Sequence, residues 1–280
     1  MRRNSLRTFR RALCAAALLA TGVAAARAPV ELPDNLLNDQ FTLQAAVIRS
    51  SNTTALRYDP SSGGSGTDLA VEPDLGLAKQ KLIGRGEVAF RIRERHRVRL
   101  SNYFVPLDRS GNSVLKSPIV FGNTTYNTGE TVQSSLSLRV LALTYAYSFL
   151  RTDRYELAGT VGADVLNVEA TATDIARLRS ERQDRAAPAP LVGVEGTARL
   201  GGRFYVEGRA QYLRVIISGT HGSFKNFEAD LLYRLHPNAT LGLGYTGFNV
   251  GVSQNILGGT QNGYFGLRSV GPQLFVRVGF

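Results

Sequence analysis

The chain has 280 residues, of which 43% are hydrophobic and 20% charged, with 33 Lys and Arg against 22 Asp and Glu and a single cysteine. This composition excludes a disordered or collagen-like chain, and one cysteine excludes a disulfide scaffold or a cysteine-ligated zinc site. No apolar run of about 18 residues follows the N-terminal region, which excludes a helical membrane protein.

Residues 1–26 predict a secretory signal peptide that is removed from the mature chain. They contain five arginines and no acid, then the apolar stretch from Ala12 to Ala20, then three alanines at 24–26 that fit a cleavage site. Removing the five arginines lowers the formal net charge from +11 to +6. Much of the basic character is thereby lost, so we expect no nucleic-acid partner. Residues 27–40 are predicted to be a periplasmic N-terminal segment.

Residues 41–280 predict an all-β fold, a transmembrane antiparallel up-and-down β-barrel. Apolar and polar residues alternate with period two, as in strands with one face in an apolar environment and the other in water. In the segment 81–93, for example, Leu82, Val88 and Phe90 alternate with charged side chains such as Arg85 and Glu87. The pattern predicts about ten strands, with eight as the alternative: 41–57, 81–93, 97–108, 131–150, 155–172, 189–200, 203–217, 223–235, 240–252 and 263–280.

The connections between these strands alternate in length. Short turns are predicted at 94–96, 151–154, 201–202 and 236–239, and long polar loops at 58–80, 109–130 and 173–188. Short turns on one side and long loops on the other are typical of a bacterial outer-membrane barrel. A soluble secreted β-sandwich also alternates and is the alternative fold.

Aromatic residues and the last strand favour the membrane. Aromatic side chains gather near the short turns, where an interfacial girdle belongs: Tyr147, Phe149, Tyr155, Phe204, Tyr233 and Phe280. The final segment, with Leu274, Val276, Val278 and Phe280 on one face, resembles the C-terminal strand signal of Gram-negative outer-membrane proteins. That signal commonly has a glycine where this chain has Phe275. The resemblance implies recognition by the barrel-assembly machinery.

Short motifs along the barrel region resemble a family of uncharacterised proteobacterial outer-membrane barrel proteins, of small porin-like type. They are the segments 95–101, 145–149, 242–245 and 271–274. The resemblance implies the fold and the outer-membrane location, with periplasmic termini, but no activity.

The polar strand faces predict a charge network inside the barrel. A barrel of eight strands is filled by its side chains and ten strands widen it only modestly, so we expect a plugged lumen whose charges pair with one another. A narrow channel with a slight basic bias is the alternative. The predicted network comprises Arg85, Glu87, Arg91, Arg99, Glu156, Asp164, Glu195, Arg199, Glu207, Arg209, Glu228, Asp230, Arg234 and Arg277.

The sequence predicts a structural barrel or a narrow, largely plugged channel without catalytic activity, cofactor or metal. The alternatives are a small-solute transporter and a lipid-modifying hydrolase. The spacing of His221 and Ser223 faintly resembles that of lipid A deacylase barrels, with Glu228 and Asp230 as candidate acids further along the strand. Expected partners are outer-membrane lipids and lipopolysaccharide, together with the Sec translocon and the barrel-assembly machinery during biogenesis.

Overall fold

The computed structural model describes residues 35–60, 62–105, 109–121, 123–174, 179–217, 220–255 and 262–280. The predicted signal peptide and residues 27–34 lie outside these ranges. The strands, in chain order, are β1 (Phe41–Tyr58), β2 (Leu69–Ala70), β3 (Gln80–Arg93), β4 (His96–Val105), β5 (Arg109–Val114), β6 (Ile119–Phe121), β7 (Thr124–Tyr126), β8 (Thr131–Arg151), β9 (Tyr155–Asp174), β10 (Arg179–Gly201), β11 (Phe204–Ile217), β12 (Thr220–His236), β13 (Ala239–Asn255) and β14 (Asn262–Gly279). A 3₁₀ turn, Leu36–Asn38, precedes β1, and the helix α1 (Val71–Leu75) follows β2.

Ten long antiparallel strands of the described chain close into a barrel. Their order is β1, β3, β4, β8, β9, β10, β11, β12, β13 and β14, and β14 pairs back to β1. The closing register pairs Thr42 with Gly279 and Tyr58 with Gly263. This confirms the predicted ten-stranded transmembrane-type barrel. No helix of the described residues is long and apolar enough to cross a membrane.

One end of the barrel carries the short turns at 94–95, 152–154, 202–203 and 237–238, together with residue 39 and Phe280. We call it the short-turn end. The opposite, loop end carries the described parts of the two long connections, 59–60, 62–79, 109–121 and 123–130.

The outward face next to the short-turn end is apolar on every barrel strand. In β8 the outward side chains run from Leu141 to Phe149, and both of these are about half exposed (45% and 56%). The inward residues between them, such as Ala146 and Ser148, are buried. Nine residues is the length that a tilted strand needs to cross a bilayer core, so this apolar belt matches a membrane span.

Beyond the belt, towards the loop end, the inward face of the barrel becomes apolar and the outward face becomes polar. Further along β8, towards the loop end, Val132, Leu136 and Leu138 point inward and are buried, whereas Gln133 and Arg139 point outward and are exposed. This part of the barrel has an apolar interior and a polar exterior, as in a water-soluble protein. Ten strands with a single period-two pattern therefore combine a membrane-type half with a soluble-type half.

Three of the predicted loops contain secondary structure. The segment 173–188 was expected to be a loop, but β9 continues to Asp174 and β10 begins at Arg179, with Arg179 paired to Asp174. The arginine-rich pattern of this hairpin hid the strands because its charges interrupt the apolar alternation. The connections 58–80 and 109–130 contain α1 and the short strands β2, β5, β6 and β7, which pack apolar side chains together at the loop end.

Candidate functional site

The lumen is the candidate site, and the segment 35–39 closes it at the short-turn end. Leu36 and Leu37 are buried, and Asn35 donates to the backbone oxygen of Asp153 at 2.7 Å. Arg234 donates two hydrogen bonds to Asp39, at 2.9 and 3.1 Å. Burial raises the pKa of Asp39 even though Arg234 opposes the shift, so these hydrogen bonds only partly offset the cost of burying this carboxylate.

A first layer of ion pairs lies next to this segment. Arg91 forms a bidentate pair with Glu156 at 3.0 and 2.8 Å. Arg97 and Arg99 both donate to Glu195, the latter at 2.7 Å. Each carboxylate is at least 95% buried, so an isolated charge there would be costly and the pairing is required.

A second layer continues the network towards the middle of the barrel. Arg277 bonds Glu207 through both terminal nitrogens, at 2.8 and 3.1 Å. Arg209 donates to both carboxylate oxygens of Glu87, at 2.9 and 3.1 Å, and to Oε1 of Glu207, at 2.5 Å. The bonds from Arg209 in β11 to Glu87 in β3 link strands on opposite sides of the barrel, so these side chains span the lumen rather than line a central hole.

Arg85 and Glu228 form the upper limit of the network. Arg85 reaches Glu228 at 2.5 and 3.3 Å, and Gln273 donates to Glu228 and to Asp230, both at 2.6 Å. Glycine makes room for this layer: a Cβ at Gly244 would lie 1.8 Å from the Asp230 carboxylate. A residue with any side chain at that position would displace the acid.

Two of the buried carboxylates have no ion pair in the described residues. One oxygen of Asp164 and one of Asp230 lack a hydrogen-bond partner, and neither residue forms a salt bridge within the described ranges, whereas the other lumen acids do. Both are at least 95% buried. They are the positions where an added cation would meet an unfilled acceptor.

The structure brings most of the predicted network together. Twelve of the fourteen predicted residues are buried and Arg209 is largely so, while Arg199 is exposed. Arg199 lies at the short-turn end, where its guanidinium donates to the backbone oxygen of Gly202 at 3.0 Å. Its position at the end of β10, beside the turn, takes it out of the lumen, which corrects its inclusion in the network.

Sequence reasoning missed four members of the network. Arg97 has the same parity as Arg99 and was identifiable from the strand pattern. Gln44 and Gln273 are uncharged, and Arg277 donates to Gln44 at 2.9 Å. Asp39 precedes the first strand, so no periodicity indicated that it enters the barrel.

Above the charges, an apolar layer fills the lumen. It is built around Ile48, Ile83, Leu191, Phe224 and Phe248, all at most 8% exposed. The rings of Phe224 and Phe248 stack with centroids 6.4 Å apart. The polar inward face predicted for the whole strand length therefore ends at mid-barrel.

A second apolar cluster closes the loop end. Leu69, Val71 and Leu75, from the first long connection, pack with Ile119 and Phe121 from the second. The cluster leaves a cavity of about 30 Å³, lined almost entirely by apolar side chains. The two long loops thus form a folded cap over the barrel mouth.

The proposed pair of His221 and Ser223 lacks an acid on its own face. Both residues lie in β12, on the parity of the outward residues Lys225 and Phe227, whereas Glu228 and Asp230 are buried on the inward face. Successive strand residues point to opposite faces, so neither acid of this strand orients His221. The described residues do not assemble the constellation that the spacing indicated.

Comparisons with known proteins identify the fold but no family. No family model and no curated protein matches the chain. Among solved structures, the outer-membrane protease OmpT from Escherichia coli is similar, with 11% identity, a TM-score of 0.53, and coverage of 88% of this chain and 98% of that one. The transport unit of the autotransporter AIDA-I from Escherichia coli covers 94% and 96% of the two chains, with 8% identity and a TM-score of 0.41.

The similarity to OmpT corrects one expectation. The chain was expected to have no catalytic activity because it is a small barrel without an evident catalytic set, but the same type of barrel carries a protease in OmpT. The fold therefore gives no ground for classing the chain as a non-enzyme. At 11% identity the similarity does not transfer the activity either, and the expected family of uncharacterised barrels is not identified by any match.

Proposed function

We propose that the protein is an integral outer-membrane barrel whose lumen is sealed, so that it does not act as an open diffusion pore. It anchors a folded cap and a protruding barrel rim at the cell surface. The apolar belt, the closed antiparallel sheet and the similarity in fold to outer-membrane barrels support this location.

The route to the membrane is part of the proposal. Residues 1–26 direct export through the Sec translocon, and the barrel-assembly machinery recognises the last strand. Leu274, Val276 and Phe280 are about half exposed on its outward face. The termini then lie in the periplasm, and the long connections 59–79 and 106–130 lie outside the cell, as in other bacterial barrels.

The filling of the lumen is the observation that carries the proposal. Four groups of side chains follow one another along the axis: the segment 35–39, the ion-pair layers, the apolar layer around Phe248 and the cap around Phe121. Wide aqueous pores belong to barrels of about 16 strands. Ten strands filled in this way leave small, separate cavities.

Conductance measurements test this proposal. We expect the purified mature protein to give no steady conductance in planar lipid bilayers. The double variant Phe224→Ala/Phe248→Ala should also stay closed, because the ion-pair layers below remain. A steady conductance of defined size from the wild-type protein would contradict the sealed lumen and favour a narrow channel.

A further inference from the structure

We propose that the barrel carries a phosphate-binding surface for the outer-leaflet glycolipid at the upper edge of its apolar belt. The inference rests on the proposed outer-membrane location and names the lipid that the barrel contacts there. The residues that form this surface point outward and have no part in the lumen.

The polar side chains at the upper edge of the belt all donate hydrogen bonds. Nine of the ten barrel strands share a feature on their outward face, just beyond the belt towards the loop end. The first non-aromatic polar residue there is a cation or a side-chain amide. In β10 the side chain at this height lies outside those that the structure describes. The cations are Arg49, Arg139, Arg214, Lys225 and Arg268, all exposed. Amides such as Asn249 and Gln80 occupy the remaining strands.

Carboxylates are absent from the outward face of five adjacent strands, β11 to β14 and β1, within the described residues. The short-turn end is different, because Arg93 and Arg154 stand near the exposed acids Glu94 and Asp153. A soluble protein surface mixes both signs. The acid-free upper edge of the belt therefore fits an anionic partner, and the short-turn end does not.

Three residues form the centre of this surface. Lys225 pairs across strands with Asn249, and Asn249 pairs with Arg268. At about 4.8 Å per strand, the two cations start roughly 10 Å apart with the amide between them. Lys225 also lies over the ring of Tyr212, 5.7 Å from its centroid, which holds the ammonium at the level of the aromatic side chains.

The chemistry of these groups matches a lipid phosphate. An ammonium, a guanidinium and an amide N–H all donate hydrogen bonds to phosphate oxygens, and the two cations neutralise its charge. Their height, directly above apolar side chains, places the donors where the headgroups of a bilayer lie. Cations near an anionic membrane surface are attracted to it, so each of the two adds to the affinity.

The test compares lipids that differ only in phosphate. The heat-induced unfolding midpoint of the folded mature protein is measured in detergent with diphosphoryl lipid A, with the same lipid after enzymatic dephosphorylation, and with inorganic phosphate alone. We expect the diphosphoryl lipid to raise the midpoint of the wild-type protein more than the dephosphorylated lipid does. Inorganic phosphate should leave it unchanged.

The variant Lys225→Gln/Arg268→Gln should lose this difference between the two lipids. The control Arg93→Gln/Arg154→Gln, which removes the same charge at the short-turn end, should keep it. Asn249→Asp provides a second variant with both cations intact, and its added carboxylate should also abolish the difference.

Retention of the full difference in both edge variants would overturn the proposal, as would an equal shift with inorganic phosphate alone. These outcomes are independent of the sealed lumen. A wild-type protein that is inserted and non-conducting but indifferent to lipid phosphate would refute this surface alone.

Discussion

Removal of Glu228 gives the sharpest measure of whether the lumen is a packed polar core. Its carboxylate accepts two hydrogen bonds from Arg85, at 2.5 and 3.3 Å, and one from Gln273 at 2.6 Å. The side chains of Arg85 and Glu228 are 5% and 4% exposed. In Glu228→Gln, Arg85 keeps its bond to the Gln273 oxygen at 3.2 Å but loses its counter-charge.

Breaking a buried ion pair by removing one partner costs about 3–5 kcal/mol. We expect Glu228→Gln to lower the free energy of unfolding by about 3 kcal/mol. This is the lower end of the range, because the introduced amide still fills the site and Gln273 still contacts Arg85. The double variant Arg85→Met/Glu228→Gln should destabilise the barrel less than Glu228→Gln alone, since Arg85 is removed together with its counter-charge.

Denaturant unfolding of the detergent-folded barrel, followed by far-UV circular dichroism and by heat-modifiable gel mobility, measures these differences. The exposed turn residue Glu94 supplies the control, because Glu94→Gln should change the unfolding free energy by less than about 0.5 kcal/mol. If Glu228→Gln costs no more than this control, the lumen is hydrated and the packed-core reasoning is wrong.

Three further predictions follow from the facing of individual residues. Leu231→Arg, on the lipid face, should lower the free energy of unfolding by about 2–4 kcal/mol. Ala142 pairs across strands with Asp164, which has an unfilled acceptor oxygen, so Ala142→Arg should lower the free energy of unfolding much less. Equal unfolding midpoints for the two variants would contradict the assignment of their faces. Phe280→Asp should reduce the amount of heat-modifiable protein in the membrane fraction, and normal amounts would refute the role of this residue in assembly. Asp39→Ala should lower the thermal midpoint by leaving a buried guanidinium without its carboxylate, and an unchanged midpoint would show that the segment 35–39 does not seal the barrel.

The sequence by itself determined the barrel and most of its strand positions. Period-two alternation gives the face of each residue directly, because successive strand residues point to opposite sides. The predicted strand 131–150 corresponds to Thr131–Arg151, and 155–172 to Tyr155–Asp174. The same parity placed residues such as Glu87 and Glu228 together in the lumen without any knowledge of their partners.

Pairing within the lumen was decided only by the tertiary structure. Arg85 and Glu228 are 143 positions apart, and the strand pattern gives their face but neither their height nor their partner. Height depends on register and on the stagger of the strands around the barrel. Asp39 lies before the first strand and so outside the alternating pattern. It enters the network because the chain folds back beneath Arg234.

The exchange of faces along the strands also required the structure. Val132 and Phe149 are both apolar residues of β8, yet the first is buried inside the barrel and the second faces outward. The alternation is identical in a membrane-type and a soluble-type barrel, because its period depends on the backbone and not on the solvent. Only the three-dimensional position of the belt determines which apolar face meets lipid and which forms a core.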